Sequence, residues 1–535
     1  MPTIANTLPP PSILLDALLA SLPILAVLVL MLRYRWGGAQ AGAIGWVLTQ
    51  LIALLFFGAS PSVLFYAQLK GILLTIYVLY IIWAALLFYR VTDEAGLVRA
   101  IGYWLPRLTP DRALQALLLG WIFSSFLQGV GGFGVPVAVI APLLVGLGFS
   151  PTTAVVIPSV GHGWAVTFGS LGASFYALIA ATGRNGSELA PPAALFLGLA
   201  CFWCGASVLW AAGGKRTLRS GLLPLLAIGL TMSISLFLVV ARGLWALGST
   251  IATLLGLGVA VAWSRWRQSN EAATRSADNP PTAGNASAII PPGWALLPYL
   301  LLIAIVLAAN LLTPVSDFLG QVVIRFDFPE LTTARGWVTP AGPGRTIDIF
   351  GHAGALLVYA SFISYVVLRW RGYLTPAAMP RILRGVINGA LRSSLGIAAM
   401  VGMAATMEHA GMTYLLASGI ARVAGSAFPM VAPFIGALGA FMTGSNTNSN
   451  VVFGSLQQQI ALLTHISPVI ILAAQTSGAA IGSIFAPAKI IVGCSTVKLG
   501  GKEGAVLADI MRYGLLMLAF LALLTTVAVY ALSAM

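Results

Sequence analysis

MTGSNTNSNVVFG, Met442 to Gly454, places eight consecutive Gly, Ser, Thr and Asn residues, Thr443 to Asn450, between long apolar runs. The rest of the chain makes that knot conspicuous. Of 535 residues, 59% are hydrophobic and 8% charged, and the mean hydropathy is +0.95. A soluble domain carries about 25% charged residues. Apolar stretches long enough to cross a hydrocarbon core of about 30 Å recur from end to end. The chain therefore reads as an all-α polytopic membrane protein. Irregular polar backbone at membrane depth is tolerated only where it lines a cavity or is buried in protein, so the knot marks a helix broken for a purpose.

Hydropathy predicts twelve spans, at about 12–33, 40–58, 70–91, 152–183, 190–212, 220–241, 244–264, 294–313, 347–369, 393–407, 468–495 and 508–533. Two further segments, 113–149 and 427–463, are apolar but interrupted at their centres, and each reads as a re-entrant hairpin. Residues 267–292 read as a cytoplasmic linker and 314–346 as a second long loop. The net charge of +14 does not point to nucleic acid, because the basic residues form no run or face. They cluster beside spans (Arg33 and Arg35; Lys215, Arg216 and Arg219; Arg265 and Arg267; Arg369 and Arg371) as the positive-inside rule requires. Those clusters put both termini outside, with Lys498 and Lys502 inside. MPTIANTLPPPS, at the N-terminus, has no basic region before its apolar run, so no cleavable signal peptide is expected. Cys201 and Cys204, in C-F-W-C within a span, read as small packing residues rather than a redox pair.

The two halves repeat. Asp93–Val98 (DEAGLV) matches Glu408–Thr413 (EHAGMT) at an offset of 315, and Phe126–Gly129 (FLQG) matches Phe441–Gly444 (FMTG) at the same offset. Phe149–Pro151 (FSP) and Ser159–Phe168 (SVGHGWAVTF) match Ile466–Pro468 (ISP) and Thr476–Phe485 (TSGAAIGSIF) at 317. The corresponding spans are separated by an odd number of crossings, so the repeats lie upside down to each other. This divides the chain into a first inverted repeat, 1–212, two linking spans with the linker, 213–293, and a second repeat, 294–535. Inverted repeats with interrupted helices near the midplane are a signature of secondary transporters.

The first hairpin tip reads Gln128-Gly129-Val130-Gly131-Gly132-Phe133-Gly134. Its glycines leave backbone N–H groups accessible, and a helix starting after them aims its positive end at the gap, which suits a carboxylate. The second tip offers Thr443, Ser445, Asn446, Thr447, Asn448, Ser449 and Asn450 as donors to an anion or as oxygen ligands. The glycines alone would equally suit close helix packing; three asparagines in five residues would not. The fourth span adds Ser159, His162, Thr167 and Ser170, and the eleventh adds Gln475, Thr476, Ser477, Ser483 and Lys489. Lys489, apolar on both sides, either meets a substrate carboxylate, takes the place of a bound cation, or snorkels to the cytoplasmic interface. His162 reads as a proton relay or a satisfied structural histidine. Asp93 with Glu94, and Glu408 with His409, end equivalent spans. They read as orienting the amphipathic helix that follows, with proton coupling through Glu408 and His409 as the other reading.

FLQGVGGFGVPVAVIAPLLVGLGFSP (126–151), FMTGSNTNSNVVFGSLQ (441–457) and AAQTSGAAIGSIFAPAKIIVGCSTVKLGGKEG (473–504) resemble the bacterial L-lactate permease family, and the resemblance extends over most of the chain. It implies a carrier of lactate, glycolate or similar 2-hydroxy monocarboxylates, coupled to protons, in the bacterial inner membrane. The wider ion-transporter superfamily implies a homodimer with scaffold and moving domains. The chain departs from the family pattern at Gln128 (Glu in the family), Asn446 (Asp), Lys489 (Gln) and His162 (Asn). Two acids are neutralised and a base is gained.

The reading is thus an alternating-access carrier, elevator-like, in which Gly129, Gly131, Gly132 and Gly134 face the second tip and Asn446, Asn448 and Asn450 hold a small organic anion. A proton or sodium ion is the coupling partner, with Gln128, His162, Glu408 and His409 as candidates, and no metal or organic cofactor is expected. A dicarboxylate or sulfonate carrier is the alternative. An anion channel fits less well, since filters are symmetric rings and these tips are unlike. For an enzyme the chain lacks a P-loop, a zinc-ligand cluster or a Ser-His-Asp arrangement.

Overall fold

The computed structural model describes residues 13–34, 36–132, 134–272, 290–344, 346–499 and 501–533. The N-terminal segment 1–12, Arg35 and most of the expected linker lie outside them. Helices α1 (Ile13–Leu32) and α2 (Gly38–Phe56) lead into α3 (Pro61–Glu94). Ser60 starts α3: its Oγ accepts from the Val63 N–H at 3.3 Å, and Pro61 fills a first-turn position that needs no donor. Gly96, at φ +78°, turns the chain into α4 (Leu97–Trp104). The first hairpin enters through α5 (Arg112–Gln115), a π-helical stretch, Ala116–Phe123, and α6 (Ser124–Val130), and leaves through α7 (Val135–Gly146). Next come α8 (Pro151–Gly161) and α9 (Ala173–Thr182), one span broken at 162–172, and then α10 (Gly186–Ser220).

Helices α11 (Leu222–Ala241) and α12 (Gly248–Ala272) link the halves. The second half runs through α13 (Pro292–Leu311), α14 (Thr313–Leu319), α15 (Ala353–Trp370) and α16 (Ala378–His409). Gly411, at φ +78°, turns it into α17 (Met412–Ala424). The second hairpin is α18 (Phe428–Thr443) and α19 (Asn446–Leu463). The last broken span is α20 (Pro468–Gly482) with α21 (Pro487–Thr496), followed by α22 (Glu503–Ser533).

Among the described residues thirteen helices are long and apolar enough to cross a membrane. The chain is a polytopic helical membrane protein. Two expectations of detail change. The tenth span, expected at 393–407, is the 32-residue α16, because Arg381 and Arg384 in its first turns hide helix from a hydropathy scale. The loop 314–346 is not featureless: it carries α14 and short antiparallel pairings, including Asp327 with Pro343 and Leu331 with Thr339.

The most buried apolar stretches, 94% each, are the incoming arm of the first hairpin and the α20–α21 span, whereas α13 is only 28% buried. The broken elements are therefore wrapped by the others, and the wrapping helices turn leucines such as Leu55 and Leu223 outward. Helices α3 and α16 pack antiparallel. Arg381 Nε donates to Glu94 Oε1 at 2.7 Å at one end, and Lys70 Nζ lies 3.6 Å from Glu408 Oε1 at the other.

Candidate anion-binding site

Gly444, at φ +69°, ends α18, and Ser445 caps α19: its Oγ accepts from the Asn448 N–H at 3.3 Å. Thr443 Oγ1 bonds back to the Gly439 and Ser445 carbonyls at 2.8 and 3.1 Å. One helical turn separates Asn446 from Asn450, so both face the same way. Asn446 Nδ2 donates to Thr167 Oγ1 at 3.0 Å and to the Thr476 carbonyl at 3.3 Å. Asn450 Nδ2 donates to the Ser174 carbonyl and to Thr476 Oγ1, both at 2.9 Å. Thr447 Oγ1 lies 3.1 Å from Ser174 Oγ, and Gln475, bonded to Gln457, donates to Ser449 Oγ at 3.0 Å. The second tip is thus bound to the break between α8 and α9, with 279 residues of chain between Thr167 and Asn446. Asn448 stands apart. Its side chain lines a small cleft with Ile24, Val27, Met400 and Met403, and its Oδ1 has no partner.

The first tip is packed as tightly. A Cβ on Gly129 would sit 3.1 Å from Thr250 Oγ1, and one on Gly131 3.1 Å from the Tyr89 ring. Gly132, at φ +63°, presses on Ser170. Ser170, Leu171 and Gly172 are all left-handed, at φ +46°, +54° and +79°. Left-handed backbone costs a non-glycine residue about 1–2 kcal/mol, and such strain clusters at functional sites. Gln128 is 3% exposed and its Oε1 has no partner. His162 is fully buried, with Nδ1 2.6 Å from the Pro158 carbonyl and Nε2 unpartnered.

The two tips meet at the start of α21. A Cβ at Gly444 would lie 3.9 Å from Ala486 Cβ, and one at Gly134 3.9 Å from Lys489 Cγ. Four helices begin in this one region: α7 after Gly134, α9 after Gly172, α19 after Ser445 and α21 after Ala486. Each brings unsatisfied N–H groups and a partial positive charge. The Lys489 ammonium adds a full charge and donates to Ser483 Oγ at 3.2 Å, back toward the break. Residues 112–187 and 409–502, which make up both hairpins and both broken spans, contain no Asp or Glu. Bare polar oxygens remain on Gln128, Asn446 and Ser477. The helix ends and Lys489 give the region a positive field, set against the partial negative charge of the free amide oxygens of Gln128 and Asn446. Among the described residues no cluster of three His, Cys, Asp or Glu could hold a metal ion.

A separate vestibule of about 560 Å³ lies between α3 and α16 on one side and α9 and α19 on the other. Lys70, Glu408, Tyr414, Gln458 and Thr182 line it, and it reaches α19 at Val451, next to Asn450. Glu408 is therefore at the vestibule wall, while the tips lie deeper. His409 is buried, with Nδ1 2.8 Å from the Ala405 carbonyl. Both side chains of the Lys70–Glu408 pair are about 40% exposed (39% and 42%), so the pair contributes at most about 1 kcal/mol. Glu408→Gln should accordingly leave the melting temperature of the purified protein within a few degrees of the parent. A large drop would mean that this pair holds α3 to α16.

Residues 16–532 match the L-lactate permease family. The chain belongs to the L-lactate permease family. Membership makes it a permease, and a multi-pass protein of bacterial membranes. The L-lactate permease of Salmonella typhimurium is 27% identical to this family member, covering 98% of each chain. The glycolate permease GlcA of Escherichia coli is 28% identical, covering 97% of each. Among solved structures, the YdaH transporter of Alcanivorax borkumensis aligns at TM-score 0.45 and 14% identity, covering 84% of this chain and 85% of that one. Thr167 and Ser170 of this permease stood out in the sequence as polar residues within a span. Ser174, Thr250 and Tyr89, which complete the packing of the tips, gave no such signal.

Proposed function

We propose that the protein is a secondary carrier that moves small 2-hydroxy monocarboxylates, lactate and glycolate first, across the bacterial inner membrane. The observation that carries this reading is the convergence of four helix N-termini and Lys489 on a region without acidic residues. A carboxylate placed there meets the helix N-termini and the Lys489 ammonium; the side-chain amides of Asn446 and Asn450 are spent on Thr167, Ser174 and Thr476, and the Gly131 and Gly132 N–H groups on the Leu127 carbonyl, so these residues fix the helix ends between which the anion sits. The named activities of the lactate and glycolate permeases to which the chain is similar fit this chemistry. The alternating-access part of the reading rests on the repeats. Gly96 and Gly411 make the same left-handed turn after equivalent helices, and α3 and α16 run antiparallel, as upside-down copies require. The α3–α16 layer serves as scaffold, and the hairpins with the broken spans as the moving domain of an elevator-like homodimer. Both termini lie outside, and the vestibule opens outward.

Within this reading a coupling proton has His162, Glu408 or His409 to bind, and a sodium ion has only neutral oxygens inside the module. The test is uptake of labelled L-lactate by the purified protein in liposomes, with pH and sodium gradients imposed separately. Saturable uptake, inhibited by glycolate and by unlabelled lactate, is the expected result. Stronger inhibition by succinate than by glycolate would shift the substrate to dicarboxylates, and uptake that never saturates would make the protein a channel.

A further inference from the structure

We propose that a seam of methionines is the plane on which this carrier slips: α1 and α16 stay with the scaffold, and α18 and α19 travel with the anion. The inference rests on the carrier reading and deepens it by naming the surface that moves. Hydrogen bonds divide the helices into two bodies. Among the described residues, every side-chain hydrogen bond that joins α16 to another helix goes to α2 or α3. Gln50 Nε2 and Gln68 Nε2 both donate to Thr406 Oγ1 at 2.7 Å, and Trp83 Nε1 donates to Ser394 Oγ at 2.9 Å. Helix α1 is held to the same body: Asp16 Oδ2 lies 3.2 Å from Arg335 Nη1, and the neighbouring Ala334 N–H donates to the Gly58 carbonyl at 2.8 Å. Helix α19 bonds only the other way, to α9, α18, α20 and the break before α9. Besides the bonds of Asn446 and Asn450, Ser455 Oγ donates to the Ala181 carbonyl at 2.7 Å and Gln458 Nε2 to the Thr182 carbonyl at 3.3 Å. Among the described residues no hydrogen bond or ion pair joins α1 or α16 to α18 or α19.

What fills the plane between the two bodies is methionine. Met400, Met403 and Met407 form one buried stripe on α16. Across two small clefts they face Met442 of α18 and Val452 of α19, with Ile24 of α1 alongside. Four of the chain's 13 methionines thus meet at one surface. The repeat does not require them, since the offset of 315 places Ala85, Phe88 and Thr92 at the three α16 positions. A methionine side chain is unbranched and polarisable, and it re-packs readily when its neighbours shift. A hydrogen bond fixes one register and leaves a costly orphan when the register changes. The clefts add unfilled space to an interior that is otherwise close-packed. Asn448 also lines the seam, and it leaves its Oδ1 unbonded rather than tie α19 to α16. The surface is therefore soft, dry and unregistered, while the helices on each side of it are stitched to their own body.

Purified full-length protein in liposomes tests this with Met403→Cys and Val452→Cys combined, which put one thiol on each side of the seam. Joining the two with a cleavable thiol cross-linker should abolish uptake of labelled L-lactate, and cleaving the linker should restore it. Lactate should still raise the melting temperature of the linked protein. Gly42→Cys with Ala399→Cys is the control. A Cβ at Gly42 would lie 3.3 Å from Ala399 Cβ, inside the scaffold, and that link should leave uptake unchanged. Met407→Cys with Leu456→Cys repeats the test at the second cleft should the first pair fold poorly. Undiminished uptake by the seam-linked protein would overturn the slip plane while leaving a lactate carrier in place. Loss of uptake in the linked control, or loss of lactate stabilisation in the seam-linked protein, would overturn it too. Folded parent protein that moves no lactate would overturn the carrier reading, and this inference with it.

Discussion

Gly478→Leu should leave almost no folded protein in the membrane. A Cβ at Gly478 would fall on the backbone carbonyl of Pro433, and one at Gly482 on that of Ala437. On the facing helix, a Cβ at Gly436 would meet the Gln475 carbonyl. Helices α18 and α20 thus cross in backbone contact, the arrangement that small residues permit between membrane helices. The first half repeats it, since a Cβ at Gly161 would fall on the Gly120 carbonyl. Backbone cannot rotate out of the way as a side chain can. Overpacking even a deformable core costs about 1–3 kcal/mol, and four added heavy atoms at a backbone crossing exceed that range against a total stability of about 5–15 kcal/mol. Detergent size-exclusion of a fluorescent fusion reads the outcome directly, with Gly419→Leu as the control, because a Cβ at Gly419 has nothing within 4 Å. A monodisperse peak of normal height from Gly478→Leu would mean that α18 and α20 do not cross there.

The crossing also shows what could be read from residues alone. The hairpin limits, 113–149 and 427–463, fall within a few residues of Arg112–Gly146 and Phe428–Leu463, because a cluster of glycines or asparagines inside an apolar run breaks a helix at membrane depth, where the freed backbone must be enclosed by protein. The turn shared by Gly96 and Gly411 was legible as a repeated AG pair at one offset. The start of α16 was not, since Arg381 and Arg384 look like loop to a hydropathy scale, although one of them pairs with Glu94 on the antiparallel neighbour.

At the site, the polar tips were visible, but their partners were not. Nothing in a single sequence says that Asn450 reaches Ser174, more than 270 residues earlier in the chain, because that contact is made by tertiary packing and has no local pattern. Lys489 is the intermediate case. Its sequence context left a snorkelling lysine and a site lysine equally open, and the direction of its ammonium, toward Ser483, separates them. The absence of acids from both hairpins and both broken spans lay in the sequence throughout, but it acquires meaning only when those segments are seen to surround one region.

Asn450→Ala should abolish lactate uptake and lactate binding together. Its amide is completely buried and is the only side chain that bonds both the start of α9, through the Ser174 carbonyl, and α20, through Thr476 Oγ1, among the described residues. Truncation removes two buried hydrogen bonds, at about 0.5–1.5 kcal/mol each, and leaves the Thr476 hydroxyl with Thr167. More damaging for function, it frees the N-termini of α9 and α19 to drift apart, so the N–H donors lose their common target. A loss of about 1.4 kcal/mol already lowers affinity tenfold, and the expected result is no detectable thermal stabilisation by lactate in a protein that still elutes as a folded species. Asn448→Ala makes the informative contrast. Its side chain faces Ile24, Val27, Met400 and Met403, across the surface where α19 must slide past α1 and α16 if the tips move. That variant should also lose uptake yet still be stabilised by lactate, which would place Asn450 in the grip on the anion and Asn448 in the movement. If Asn450→Ala protein is stabilised by lactate as the parent is, the anion is held elsewhere than at the meeting of the tips, and the vestibule lined by Lys70 and Gln458 becomes the place to look.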